Sequence, residues 1–219
     1  MTGTGATSIG ATPSGLLVVV EGGEGVGKST QVARLATSLR ATGREVVVTY
    51  EPGDTKTGAE LRAALLQADD ALDPRTELLL MLADRAQHVA EVLRPAIARG
   101  AIVVCDRYEP STLAYQGIGR GLGVDEVERL SKWVAGDVEA DAVIVLDVPD
   151  SIADARVSPV RDRFEQAGAE FHARVRAAYR DLAPSRGWLL VDAGGTPDDV
   201  AARVLAAVSE SFRRLGVVP

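Results

Sequence analysis

Short runs of apolar, mostly β-branched residues alternate along this chain with longer segments whose apolar positions recur every three or four residues. "LLVVVE" (Leu16–Glu21) has no polar position before its last residue and is stopped by Gly22 and Gly23. That is the pattern of a strand buried on both faces. "EVVVT", "AIVVCD", "AVIVLDV" and "WLLVD" repeat it, so a central five-stranded sheet is predicted. Between the runs, Ser29 to Thr42 reads as a helix, and Leu78, Leu82, Ala86, Val89 and Leu93 step along one apolar helix face. Thr196-Pro197-Asp198-Asp199 opens the last helix with a cap, a proline at the first helical position and two acids on the positive end. Strands that alternate with helices of this length form parallel βαβ units, hence an α/β, three-layer fold with helices on both faces of a parallel sheet. Two segments fit the alternation poorly, Glu51–Gly58 and Arg156–Gly168, and both are expected to be mobile loops.

Composition narrows the picture. The 219 residues are 46% hydrophobic and carry 24 basic against 31 acidic side chains, a net charge of −7. So acidic a chain makes a poor general binder of nucleic acid, whose phosphates demand a basic face. Any anion must be held by local backbone amides and a few Lys or Arg. The single cysteine, Cys105, allows no internal disulfide. No apolar run approaches the roughly 18 residues of a membrane span. The first fifteen residues are small and polar, with no basic residue and no apolar stretch of a secretory signal. The expectation is a flexible tail over 1–15, one domain over 16–219, and a cytoplasmic location.

Gly22-Gly23-Glu24-Gly25-Val26-Gly27-Lys28-Ser29, followed by Thr30, matches the phosphate-binding pattern G-x-x-x-x-G-K-[ST] in full. It also lies between a buried strand and a helix, the context that pattern requires. Glycines let backbone N–H groups wrap a phosphate, and the helix N-terminus adds partial positive charge. Lys28 is expected to reach the β- and γ-phosphates, and the Ser29 hydroxyl to join a Mg²⁺ shell. A glycine-rich turn that merely spells the pattern is the competing reading, and the context disfavours it. No guanine-reading N-K-x-D follows any strand; "TKTG" lacks the aspartate. In "CDRYEPSTLAYQG", Asp106 ends a strand at the sheet's carboxyl edge, where a carboxylate commonly supports Mg²⁺. Arg107 follows, a planar cation able to clamp a second phosphate. Taken alone, those two residues would read as a surface ion pair.

Five motifs in register, "EGGEGVGKST", "EPGDT", "ADRAQHV", "DRYEPSTLAYQG" and "DRFE", make the chain from Leu16 onward similar to the thymidylate kinase (dTMP kinase) family of P-loop nucleoside monophosphate kinases. The resemblance implies a P-loop NTPase fold with a short arginine-bearing lid at about 156–168. It implies transfer of the ATP γ-phosphoryl group to dTMP, giving dTDP and ADP, with Mg²⁺ as cofactor, and a homodimer. By position, Glu24 would lie near the acceptor sugar, Arg107 would hold the acceptor phosphate, and Arg85 would contact the acceptor near its base or phosphate. Glu51 and Pro52 fall in the acceptor-side "EPGDT" motif. Tyr115 would pack at C2′ and favour deoxyribose, while Ser111 and Gln116 would line the thymine side. Arg156, Arg161 and Arg163 would bring lid charge over ATP, since Gly25 stands where other members carry an arginine. Met81, Arg85 and His88 share a helix face distinct from the leucine face, so one side can build core while the other lines a pocket; His88 reads as structural. The ordinary alternatives are a solvated Arg85, a core Tyr115, and lid arginines paired with Asp162 and Glu165.

The chain departs from the family's pattern on the acceptor side. Met81 stands where an aromatic ring usually stacks on thymine, Tyr50 where an arginine commonly precedes "EPG", and Asp54 where glycine is common. These departures keep two further readings open: another small phosphorylated acceptor such as dUMP, and an ATP-binding regulatory module without turnover.

Overall fold

Leu16–Glu21 forms strand β1, and its alternation across the sheet sets the whole architecture. Leu16, Val18 and Val20 point into one apolar core, Leu17 and Val19 into a second on the opposite face. All six residues are buried because both faces are covered, as the uninterrupted apolar run required. The structure, a computed structural model, describes residues 15–67, 72–156, 163–164 and 167–217. Residues 1–14 of the expected tail, and most of the expected lid, including Arg161, lie outside the described residues.

The five predicted strands are present: β1, β2 (Val46–Tyr50), β3 (Ile102–Asp106), β4 (Ala142–Asp147) and β5 (Leu189–Asp192). They form one sheet in the order β2-β3-β1-β4-β5, every pair parallel. The edge strands β2 and β5 are only half covered, with Val48 42% and Leu190 45% exposed. On one face lie α1 (Lys28–Arg40) and α9 (Pro197–Arg214), the latter with the expected Thr196 capping box. The opposite face carries α3 (Pro74–His88), which runs through a π-helical turn (Val89–Leu93) into α4 (Arg94–Ala98). Pro95 has no N–H to offer the preceding turn, which accounts for a widened helix there.

The loop after β1 leads to α1 on one face, while β3 leads through Tyr108 to α5 (Glu109–Thr112) on the other. The carboxyl ends of these adjacent strands therefore open a crevice. A second π-helical segment, Leu113–Gly119, extends α5 beside that crevice and carries Tyr115 and Gln116. The remaining helices are α2 (Lys56–Leu66), α6 (Val124–Ala135), α7 (Asp150–Arg156) and α8 (Ala169–Arg186). Among the described residues, no helix is long and apolar enough to cross a membrane.

Two expectations need correction. Glu51–Gly58 is not an open loop: Glu51, Pro52 and Gly53 are buried in a turn, and α2 begins at Lys56 behind a Thr55 cap. The apolar face of α3 also fails at Ala86, which is exposed. The buried face instead includes Glu77, Asp84, Arg85 and His88, whose partners come from other elements, although Asp84 Oδ2 has none among the described residues.

Candidate active site

The phosphate loop takes its shape from glycine. Gly27 has φ 89° and caps α1, and Gly25 has φ 74° with a Cβ position that would collide with the Ala153 carbonyl oxygen. Lys28 folds back over the loop, its Nζ donating to the carbonyls of Gly22 (3.1 Å) and Gly23 (2.7 Å). Burial, with the Arg107 charge beside it, lowers the Lys28 pKa to about 8 against the attraction of Glu24, Asp106 and Glu21. Ser29 Oγ donates to Asp106 Oδ2 at 3.3 Å, so the two expected metal ligands meet across the crevice.

Arg107 sits at its centre in a left-handed conformation (φ 72°), its backbone N–H bonded to the Val20 carbonyl. One prong of its guanidinium donates to Gly22 O (3.3 Å) and Ser111 Oγ (3.0 Å), the other to Glu24 Oε1 (2.7 Å) and Tyr115 OH (3.2 Å). It also lies 5.1 Å over the Tyr115 ring. Burial opposes a charge on Glu24, yet Arg107, Lys28 and the Tyr115 hydrogen bond hold its pKa down to about 2. Beneath them, Glu21 is fully buried and accepts from Tyr108 N, Ser111 N, Ser111 Oγ and Tyr179 OH. Desolvation raises its pKa, with Arg107 opposing.

Eight of the expected acceptor-side residues come together in one cavity: Glu24, Glu51, Pro52, Met81, Arg107, Ser111, Tyr115 and Gln116. Arg62, Leu66 and Phe164 join them. Gln116 Nε2 donates to Glu77 Oε1 at 2.8 Å, which fixes the amide's orientation, and its buried Oε1 has no partner among the described residues. A second cleft runs along Glu24, Gly25 and Gly27–Thr30 to Asp106. Glu24, Glu51, Arg62 and Arg107 line both, so the two spaces meet at those four residues.

Arg85 is not in the cavity. It is fully buried behind Glu51, donating to Glu51 Oε2 (2.9 Å) and Thr112 Oγ1 (2.9 Å) and lying 4.8 Å over the Tyr108 ring. His88 Nδ1 pairs with the other Glu51 oxygen at 2.8 Å, and its Nε2 meets Thr49 Oγ1, which donates to Asp54. Of the face Met81–Arg85–His88, only Met81 reaches the cavity; Arg85 and His88 instead hold Glu51 in place beside it. Asp84 beside them accepts from Gly53 N at 2.9 Å, and burial together with Glu51 raises its pKa to about 6.

The lid arginines separate. Arg156 ends α7 and is exposed. Neither Arg156 nor Arg163 lines the phosphate cleft, and Arg163 is turned elsewhere. Its Nε donates to Leu65 O (2.8 Å) and its Nη2 to Glu77 Oε2 (2.7 Å), on the acceptor side, because Glu77 is a fully buried carboxylate that needs cations and also takes Arg120. Sequence reasoning missed Arg62, Glu77 and Glu21. Arg62 carried one usable signal, its place on the helix that follows the "EPGDT" turn, where it donates to Pro52 O at 2.6 Å and covers the Tyr50 ring.

Comparison with known proteins adds an independent line. The sequence model of the family described as Thymidylate kinase matches residues 20–204. The thymidylate kinase of Leifsonia xyli subsp. xyli is 49% identical over 195 residues, covering 87% of this chain and 92% of the relative. That of Pseudomonas fluorescens is 48% identical over 187 residues, covering 83% and 89%. Among solved structures, the crystal structure of thymidylate kinase from Ehrlichia chaffeensis superposes with a TM-score of 0.75 at 29% identity, covering 90% of this chain and all of that one. A phosphate loop, a strand-end Asp-Arg pair and a second cavity joined to them thus occur in a chain matched over nearly its whole length, and this chain belongs to the thymidylate kinase family of P-loop nucleoside monophosphate kinases.

Proposed function

We propose that the chain transfers the γ-phosphoryl group of ATP to dTMP, giving dTDP and ADP, with the donor in the phosphate cleft and the acceptor in the adjoining cavity. The observation that carries this reading is the junction of the two spaces at Glu24, Glu51, Arg62 and Arg107. Two anions brought there face each other across a guanidinium that can grip both. Such positioning supplies most of what phosphoryl transfer needs from a protein.

On the donor side, backbone amides of Gly22–Ser29 cradle the phosphates, and Lys28 exchanges its bonds to the Gly22 and Gly23 carbonyls for phosphate oxygens. Ser29 and Asp106 suit Mg²⁺. Both offer hard oxygen ligands 3.3 Å apart, and no cluster of three His, Cys, Asp or Glu exists among the described residues to favour another metal. Mg²⁺ takes one or two protein oxygens and completes its shell with water and phosphate. When bound it neutralises charge between the phosphates. Thr30 lines the same cleft.

On the acceptor side, Arg107 and Arg62, which line both spaces, hold the phosphate. Tyr115, anchored by its hydroxyl to Glu24, sets its ring against the sugar, and Phe164 packs edge-on against it at 6.1 Å. Met81 covers the base through its polarisable sulfur. The unpartnered Oε1 of Gln116 accepts from the base N–H, with Ser111 beside it. Arg85 serves the acceptor through Glu51. Arg156 supplies the lid cation that Gly25 does not, and Arg163 acts from the acceptor side.

Leu79 (61% exposed) on α3 and Trp133 (78% exposed) on α6 support a homodimer packed through those helices. A cytoplasmic location fits a lone cysteine that is fully buried, its pKa raised by desolvation.

The test is Lys28→Ala, assayed for ADP release with dTMP and for ATP binding by calorimetry. Loss of a charge-stabilising donor is expected to lower kcat by about 10²–10³-fold. Turnover within tenfold of the parent enzyme would remove Lys28 from the transfer.

A further inference from the structure

We propose that Arg176 is a positioning residue for phosphoryl transfer: it clamps α7 onto the phosphate loop and so fixes Arg156, the residue on which α7 ends. The inference rests on the role given to Arg156 above. Arg176 lies on α8, is 4% exposed, and splits its guanidinium between two carboxylates of α7. Nε donates to Asp150 Oδ1 at 2.9 Å and Nη1 to Asp154 Oδ1 at 3.1 Å. Its stem lies on the phosphate loop, where a Cβ built on Gly23 would sit 2.9 Å from Arg176 Cγ. The α7 backbone touches the same loop, since the Ala153 carbonyl fills the space a Gly25 side chain would need. Loop, α7 and α8 thus form a closed set of contacts with Arg176 at two of its three joints.

Helix α7 has seven residues, too few to hold itself as an isolated helix, so its position comes from what it touches. Its first turn is tied twice, because Arg180 Nη2 also donates to Asp150 Oδ1 at 3.0 Å while the same guanidinium holds Asp147 at the end of β4. Asp154, two residues before Arg156, is tied by Arg176. A cation that must meet a transferring phosphoryl group is only as well placed as this helix end.

An ion pair that merely stabilises the fold is the competing account, and a double-mutant cycle separates the two. Arg156→Ala, Arg176→Ala and the double variant are compared with the parent in steady-state assays of MgATP and dTMP and in thermal melts. A misplacement of about 1 Å costs about 10²-fold, so Arg176→Ala is expected to lose about that in kcat, with KM for dTMP within about threefold. In the Arg156→Ala background the same change is expected to cost less than about threefold, because the group it positions is gone. Arg176→Lys, which can satisfy one carboxylate at a time, should recover part of the loss. Asp154→Asn, at a half-exposed position, repeats the cycle if Arg176→Ala does not fold. Removing a negative charge can only lessen Coulomb repulsion of the ATP phosphates, so a fall in kcat of about tenfold would report the lost tether.

Multiplicative losses in the double variant, with Arg156→Ala itself impaired, would overturn the inference and leave the Arg156 role standing. An Arg156→Ala enzyme with unchanged kcat would overturn both.

Discussion

Replacing Arg107 with lysine keeps the charge at the junction of the two spaces and removes the fork. The guanidinium now reaches four acceptors from two prongs, between 2.7 and 3.3 Å. A lysine ammonium is a single point and would stay with Glu24, the nearest partner and, among the described residues, the only ionic one. An acceptor phosphate held by two parallel hydrogen bonds is then held by one. Each charged hydrogen bond contributes about 1.5–3 kcal/mol, so kcat/KM for dTMP is expected to fall by about 10–10²-fold. Folding should change little. The Arg107–Glu24 pair is 17% and 24% exposed, its charge is retained, and lysine meets the left-handed backbone no worse than arginine. A loss of about 1 kcal/mol, or about 2–4 °C in Tm, is the expected scale. The assay is coupled ADP release with dTMP varied at saturating MgATP, then the reverse, with a melt as control. A kcat/KM for dTMP within twofold of the parent, or a loss confined to ATP, would refute the placement of Arg107 on the acceptor.

Gly25→Ala meets both a left-handed backbone and the Ala153 carbonyl, so it should destabilise by about 2 kcal/mol, seen as a Tm lower by about 4–8 °C, and should reduce kcat by displacing α7; an unchanged melt would show that α7 does not press on the loop. Asp84, 1% exposed, has its pKa raised from 3.8 to about 6. The folded state therefore holds the extra proton, and the group's stabilising contribution is full below about pH 4 and lost as pH rises through about 6, a span of about 3 kcal/mol. Asp84→Asn, neutral throughout, should gain stability relative to the parent by up to that amount between pH 4 and 7 in chemical denaturation; parallel profiles would show that Asp84 is ionised in the fold.

The strands and the phosphate loop could be read from the sequence because each is specified locally. A strand buried on both faces must be apolar at every position, and a loop that wraps a phosphate must be glycine-rich between a strand and a helix. Asp106 and Arg107 were legible for a related reason, since the end of a β-strand at the carboxyl edge fixes where they stand. The acceptor side is assembled from separate elements, and its logic is not local. Arg85 and His88 look like the wet side of an amphipathic helix, and nothing in their spacing reveals that Glu51, 34 residues before Arg85, meets them in the interior. Glu77 reads as a first-turn acid, yet it gathers Gln116, Arg120 and Arg163 from two later segments. Glu21 reads as the polar end of a strand, while in the fold it orients Ser111 and Tyr179 from below. Each of these is a buried carboxylate whose partners offset part of its desolvation, and such partners become visible only when the chain has folded.

The departures at Tyr50 and Asp54 are absorbed in the same way. Tyr50 lies under Arg62 and Asp54 accepts from Thr49, so neither places a bare carboxylate or an unfilled space at the acceptor.

The most direct test of the account is ADP release with MgATP against a panel of dTMP, dUMP, the ribose form of TMP, dCMP and dGMP. The account expects kcat/KM to be highest for dTMP, with the ribose form disfavoured by the Tyr115 ring and the other bases by the Gln116 side of the cavity. Turnover with none of them, despite ATP binding, would contradict it, as would equal turnover with all.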